Sequence, residues 1–278
     1  MNMAKYLTSA AAALLAFFPG SGPAQAPAPA PAPTAAPELR IISDFDSPPF
    51  SYVENGASTG FEYDLGEAIG RELGMPVKWI KRSFNLPSFG STLDTGGADA
   101  AMASITVTPD REKSYIFSRP YFRTSLAAAT KRDVDWNSLN WKNGLSAVIR
   151  VGVQRRTTSE EWVRKNLKAT RKTYDSPQRL ERALNSNDVE VIVMDEEILS
   201  YELLRRQYKF KIQEKGFDVQ DYGIMLARTN SALQQQIDGA LIRLDESGEY
   251  DRLYEKWFGH LADLPARIRP TRGDQAAE

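Results

Sequence analysis

Arg111 and Asp195 carry opposite charges; Ser104 and Thr106 lie shortly before Arg111, and Thr157 and Thr158 follow a separate strand-like stretch, Arg150 to Val153. A carboxylate is best held by the N–H fork of an arginine and the free N–H groups of a helix start. Arg111 and the turns at Thr106 and at Thr157–Thr158 would supply these. An ammonium needs acceptors instead: a carboxylate such as Asp195, a hydroxyl such as that of Thr106, or the backbone carbonyl of Ser104. Together the set fits a small zwitterion. Asp44, Phe84 and Arg156 add an acid, an aromatic face and a second cation for the rest of such a guest. Asp44 argues for an amide or cationic end and Arg156 for an acidic one. There is no cysteine, and His260 is the one histidine. Thiolate chemistry and disulfides are thereby removed, and little is left for histidine-based metal or triad sites. No catalytic residue, cofactor or metal is expected.

The elements that must position these residues follow from periodicity. Leu39 to Ser43 reads as a strand, and Leu65, Ala68, Ile69 and Leu73 recur at helical spacing until Gly74 and Pro76 stop the helix. Val77 to Ile80 reads as strand, Ser88 to Leu93 as a short helix, and Ala98 to Ser104 as a buried strand. Thr108 then caps a helix with Pro109 at its first position. The order recurs: strand from Arg150 to Val153, a capping box from Thr158 to Glu161 opening a helix, strand from Lys172 to Tyr174, and a helix capped by Ser176. Val189 to Met194 forms a further strand, which Asp195 ends. Two βαβαβα halves result. Tyr222 to Ala227 is one more strand, followed by helices carrying Leu233 to Leu244 and Tyr250 to Phe258, which return to complete the first half. Ligands of open parallel sheets bind outside the carboxyl ends of the strands, where Asp44, Phe84, Ser104, Thr106, Arg111, Arg156, Thr157, Thr158 and Asp195 stand.

The chain has 278 residues, 35 basic against 36 acidic, a hydrophobic share of 42% and an aromatic share of 10%. This suits two modest domains with a sizeable core. It offers no electrostatic case for a nucleic-acid partner or an anionic membrane. Residues 1–26 read as a secretory signal peptide: a charged start, an apolar run from Leu7 to Phe18, and the small-x-small exit Ala24-Gln25-Ala26. Residues 27–37 form a Pro/Ala-rich linker, and residues 263–278 a polar, frayed tail. The expected lobes are 38–128 with 223–262, and 129–222.

Several stretches carry a family resemblance: Ser47 to Tyr52, Gly60 to Leu65, Ser104 to Arg111 (Ser-Ile-Thr-Val-Thr-Pro-Asp-Arg), Phe117 to Tyr121, Val151 to Gln154, and Tyr250 to Gly259. In this order they resemble the periplasmic polar-amino-acid-binding proteins of ABC importers. The resemblance implies an α/β, bilobed type II periplasmic-binding-protein fold, two βα lobes joined by two crossover strands. It implies a monomer working in the periplasm that captures a polar L-amino acid and delivers it to an ABC permease, with no insertion into the membrane after signal cleavage. Residue by residue, Arg111 is similar to the family's α-carboxylate arginine, with Thr106 and Thr158 on the same carboxylate. Asp195 is similar to the aspartate that holds the α-ammonium, aided by Ser104 and Thr106. Phe84 resembles the ring under the ligand side chain, and Asp44 the acid near its distal end. Ser47 stands where many members stack a second aromatic, and Arg156 replaces the usual glycine of a Gly-Thr-Thr turn.

Two other functions fit the same fold. A cyclohexadienyl dehydratase-like enzyme acting on arogenate or prephenate needs a positioned acid near Thr158; Glu160 and Glu161 follow it, but the aligned position holds Ser159. A sensor or accessory protein would use the lobes to signal, spaced by the Pro/Ala segment. Aspartate 195 has a plainer reading as a helix cap, with Glu196 and Glu197 as surface charge. Asp64 reads as structural, and the aromatics from Tyr250 to Phe258 as core.

Overall fold

The computed structural model describes residues 37–141, 148–206 and 210–261. The expected signal peptide, nearly all of the linker and the expected tail lie outside these residues. The first lobe contains β1 (Leu39–Ser43), β2 (Asp46–Ser47), β3 (Ser51–Glu54), β4 (Ala57–Thr59), α1 (Phe61–Leu73), β5 (Val77–Lys81), α2 (Leu86–Asp94), β6 (Ala100–Ala101), α3 (Pro109–Glu112) and β7 (Tyr115–Phe117). The strand β8 (Phe122–Lys131) leads into the second lobe, with β9 (Arg150–Gln154), α4 (Thr158–Asn166), β10 (Thr170–Tyr174), α5 (Pro177–Asn185), β11 (Val191–Asp195) and α6 (Glu196–Arg206). The chain returns along β12 (Phe210–Tyr222) to β13 (Met225–Ala227), α7 (Ser231–Glu246) and α8 (Glu249–Phe258).

Each lobe is built on a five-stranded sheet. The first has the order β5-β1-β6-β13-β7, with β5, β1 and β6 parallel and β13 antiparallel to both neighbours. The second has the order β10-β9-β11-β8-β12, with β10, β9 and β11 parallel and β8 antiparallel to β11 and β12. The fold is therefore the bilobed type II architecture. The two long connecting strands, β8 and β12, pair from Phe122 opposite Tyr222 to Lys131 opposite Phe210. The lobe boundary expected between residues 128 and 129 falls inside β8, all of which belongs to the second sheet.

Two expectations about elements are corrected. The strand expected from Ala98 to Ser104 pairs only at Ala100–Ala101, because the chain turns into the left-handed region at Ser104, φ 51. The single strand expected from Tyr222 to Ala227 is two: Tyr222 pairs with Phe122 in the second sheet and Met225 with Phe117 in the first, so the chain changes sheets at Gly223. The β2–β3–β4 meander was not foreseen, since its strands are too short to show a period. The two crossover strands that the resemblance implies are β8 and β12, whose small and charged residues conceal the alternation that would have placed them. No helix among the described residues is long and apolar enough to cross a membrane.

Aromatic packing anchors the junction of the lobes. Phe50, Phe61, Tyr121, Phe122, Tyr222, Tyr250 and Phe258 are all buried, and the Phe122 and Tyr222 rings stack at 6.0 Å on the paired strands. Asp64 accepts hydrogen bonds from Lys256 Nζ and Trp257 Nε1, both 2.7 Å, tying α1 to α8. Gly60 opens α1 at φ 125, where an added Cβ would lie 2.2 Å from the Phe50 carbonyl oxygen. That oxygen already accepts the Glu62 N–H at 2.7 Å and cannot withdraw. Gly60→Ala should lower stability by more than about 2 kcal/mol. At Gly96, φ +70 with nothing near the added carbon, the same change should cost only about 1 kcal/mol. Urea denaturation midpoints of the two variants measure this order.

Candidate functional site

The strand ends of the two sheets face one another across a cleft. From the first lobe come Phe84 after β5, Ser104 and Thr106 after β6, and Arg111 on α3. From the second come Gln154 at the end of β9, Thr157 and Thr158 at the start of α4, and Asp195 at the end of β11. With Ser47, Ala103 and Ile198 they line a narrow cavity of about 30 Å³. Seven of the nine residues expected at the site therefore lie together: Phe84, Ser104, Thr106, Arg111, Thr157, Thr158 and Asp195. The other two, Asp44 and Arg156, line an adjoining open chamber of about 890 Å³ that shares Phe84 and Gln154 with the narrow one.

Local chemistry fixes the charged pair. Thr108 caps α3, its side chain accepting the Arg111 N–H at 3.3 Å, with Pro109 at the first position. This short helix turns the guanidinium back, so that Nη1 donates to the Thr106 carbonyl at 2.6 Å. Burial pulls Arg111 below its ordinary range, against the attraction of Glu161, Asp195 and Tyr222. Burial also lifts Asp195 to about 6, although the Tyr222 hydroxyl and Arg111 oppose the shift. The two charges feel each other, yet among the described residues no ion pair within 4.0 Å joins them. Each keeps some surface on the cavity.

The turn before α4 differs from expectation. Thr157, not Thr158, is the N-cap, its Oγ1 accepting the Glu160 N–H at 3.3 Å. Glu160, not Glu161, reaches back, accepting the Arg156 N–H at 2.7 Å. The box is shifted by one because Arg156 takes the left-handed conformation, φ 63, that a glycine would adopt without strain. Thr158 is thereby freed from capping, and its hydroxyl donates to Gln220 Oε1 at 2.7 Å. Glu160 is occupied by the cap and Arg171, and Glu161 faces an outer groove. Neither lines the cavity.

Three supporting residues were not anticipated as part of the site. Glu62, fully buried on α1, accepts the Ser104 N–H at 2.7 Å and the Tyr121 hydroxyl, and so holds the left-handed turn at Ser104. The Ser104 hydroxyl itself has no hydrogen-bond partner among the described residues. Gln220, on β12, accepts hydrogen bonds from Thr106 and Thr158 on one amide oxygen. Gln154 completes the wall. Glu62 had a signal in the sequence, since it lies in the Gly60 to Leu65 stretch; Gln220 had none.

Glu196 and Glu197 are not surface charge. Both are buried: Ser125 Oγ donates to Glu196 at 2.7 Å, the Gly216 N–H donates to it at 3.1 Å, and Thr124 donates to Glu197. They tie the start of α6, and hence Asp195, to β8 and β12. Two further contacts cross the cleft: the Tyr52 and Tyr201 hydroxyls at 2.9 Å, and Gln178 Nε2 donating to the Asp46 carbonyl at 2.7 Å.

A bilobed frame with opposite charges from its two lobes on one cavity defines the class of cleft-type solute-binding proteins. The chain belongs to the bacterial extracellular solute-binding proteins, family 3, whose profile matches residues 39–260. It is 29% identical to the arginine-binding periplasmic protein of Mannheimia haemolytica over 226 residues, covering 79% of this chain and 90% of that one. It is 26% identical to an L-cystine-binding protein of Escherichia coli (strain K12), covering 76% and 79%. A solved structure of an ancestral amino acid-binding protein, a precursor of cyclohexadienyl dehydratase, superposes with a TM-score of 0.71 at 28% identity, covering 80% and 95%. The chain is thus an amino-acid-binding solute-binding protein by family.

Burial raises Glu62 to about 7, against the Tyr121 and Ser104 hydrogen bonds, and raises Asp44 to about 7 with help from the charges of Glu62 and Asp46. Carboxyls raised in the folded state stabilise it fully below their unfolded range near pH 4, and that contribution is lost as pH rises through about 7. The melting temperature should therefore fall between pH 5 and 8, as read by calorimetry, and Glu62→Gln should make that fall shallower.

Proposed function

We propose that the protein captures a polar L-amino acid in the cleft, in the periplasm, and hands it to an ABC permease. The carrying observation is that Arg111 and Asp195 reach the same cavity from different lobes without pairing with each other. The α-carboxylate of the guest lies on Arg111 and on the N–H groups of the Thr106 and Thr158 turns, and its α-ammonium on Asp195. Such a guest bridges the lobes and favours the closed state in proportion to its extra contacts there. Phe84 lies under the side chain, and the outer chamber receives its end. Relatives named for arginine and for cystine support an amino-acid guest.

The end group meets a mixed environment. Asp44, Asp46 and Asp175 share the outer chamber with Lys81, Arg82, Arg155, Arg156 and Arg179. Asp44 is the most buried of these, at 3% exposure, and raised to about 7, so it meets an amide as a hydrogen-bond donor and a cation only after ionising. Capture without turnover is supported by the placing of Glu160 and Glu161 outside the cavity. Prephenate incubated with the protein should remain unchanged, whereas turnover would favour the dehydratase reading.

A thermal-shift panel of the twenty amino acids with ornithine and citrulline tests the proposal. A true ligand at about one hundred times its Kd adds roughly 2.7 kcal/mol to the folded state. Arg111→Ala or Asp195→Ala leaves one end of the zwitterion uncompensated, at about 3 to 5 kcal/mol, or a hundredfold or more in affinity. Unchanged binding in either variant would refute the assignment. Because the bound form requires ionised Asp195, affinity should be full above about pH 6 and fall about tenfold per unit below it, measurable by titration calorimetry. A cationic guest should also release protons near pH 7 as Asp44 ionises, seen as a dependence of binding heat on buffer.

A further inference from the structure

Gln220 carries no expected role, yet it is buried where the lobes meet. Its amide oxygen accepts from Thr106 Oγ1 at 3.0 Å and from Thr158 Oγ1 at 2.7 Å, one residue from each lobe. Its amide nitrogen lies 2.5 Å from Asp218 Oδ2. A carboxylate only accepts, so the amide end facing Asp218 is the NH₂ and the end facing the threonines is the oxygen. Each threonine hydroxyl has one proton, and both protons are directed at Gln220. Thr106 and Thr158 also line the narrow cavity, whereas Gln220 lines the groove behind them. Seen from the cavity, both hydroxyls therefore present lone pairs. The segment carrying Thr106 cannot drift from this arrangement, because the Val107 N–H donates to the Asp221 carbonyl at 2.8 Å and the Gly223 N–H to the Ile105 carbonyl at 3.1 Å.

We propose that Gln220 is a positioning residue that polarises the cleft: by taking the hydroxyl protons of Thr106 and Thr158 it makes both side chains acceptors for the guest's ammonium. The inference rests on the amino-acid reading above and sharpens it. An ammonium has three N–H donors, and Asp195, Thr106 and Thr158 then provide three acceptors around it. The Thr158 hydroxyl is reassigned from the carboxylate end, which is left to Arg111 and to backbone N–H groups. Removing Gln220 frees two hydroxyl protons to rotate into the cavity, where they repel an ammonium and suit a carboxylate.

The test compares each of the twenty L-amino acids that binds with its desamino carboxylic acid, for example L-arginine with 5-guanidinopentanoate and L-glutamine with glutaramate, by titration calorimetry on the full chain. In the parent protein the amino acid should win by about a hundredfold or more. In Gln220→Leu that preference should narrow by about tenfold or more. Thr158→Val, which deletes one acceptor and leaves Gln220 in place, should narrow it by an independent route. Equal loss for both members of a pair, or an unchanged ratio, in Gln220→Leu overturns the proposal and leaves the amino-acid reading standing. If the parent binds none of the twenty, the amino-acid reading falls and this inference falls with it.

Discussion

A guanidinium and a carboxylate that share one cavity without closing on each other set the demands on the rest of this fold. Charges taken out of water need partners, and here each has an incomplete set. Arg111 spends one N–H on the Thr106 carbonyl, and Asp195 responds to burial by holding its proton more tightly. Had the two been on one element they would pair. Placing them on opposite lobes, one on a four-residue helix capped by Thr108 and one at the last residue of β11, keeps them apart, and in the proposed reading the guest's dipolar head lies between them.

That separation is maintained by buried polar groups rather than by the apolar core alone. Glu62 fixes the turn at Ser104 from behind, while Glu196 and Glu197 fix the start of α6 to the strands that join the lobes. Such groups are destabilising when unpaired and specific when paired. The left-handed residues Ser104 and Arg156 each add strain on the order of 1 to 2 kcal/mol, and each is held by a carboxylate, Glu62 or Glu160.

The head-group end of the cleft and the outer chamber obey different physics. Near Arg111 and Asp195, protein surrounds the charges, and single contacts are strong. In the outer chamber Arg155 and Arg179 lie 3.5 and 3.7 Å from Asp175, and all three side chains are about half exposed or more. Pairs of that kind contribute little and are screened by salt. In the proposed reading, capture of the amino-acid head is thus the property of the buried end. In the same reading, choice among side chains falls to Asp44, which is buried, and to the size and charge of a chamber open to water.

The amino-acid order determined the elements whose residues interact with near neighbours. The helices α1, α5, α7 and α8, the caps at Thr108 and Ser176, and the alternation of strand and helix in both halves were legible, because periodicity and capping act within a few residues. The strand-end rule then brought Arg111, Asp195 and the hydroxyls forward as a set, since each follows a readable strand. Four features were decided only by the tertiary structure: the position and pairing of the crossover strands β8 and β12, the one-residue shift of the cap to Thr157, the burial of Glu196 and Glu197, and the clasp of Gln220 on Thr106 and Thr158. All but the cap shift, which follows from the left-handed Arg156, depend on groups far apart in the chain, 114 residues in the case of Thr106 and Gln220. A local pattern carries no record of which distant donor an acceptor will meet, and that meeting is what orients the hydroxyl protons in the cleft.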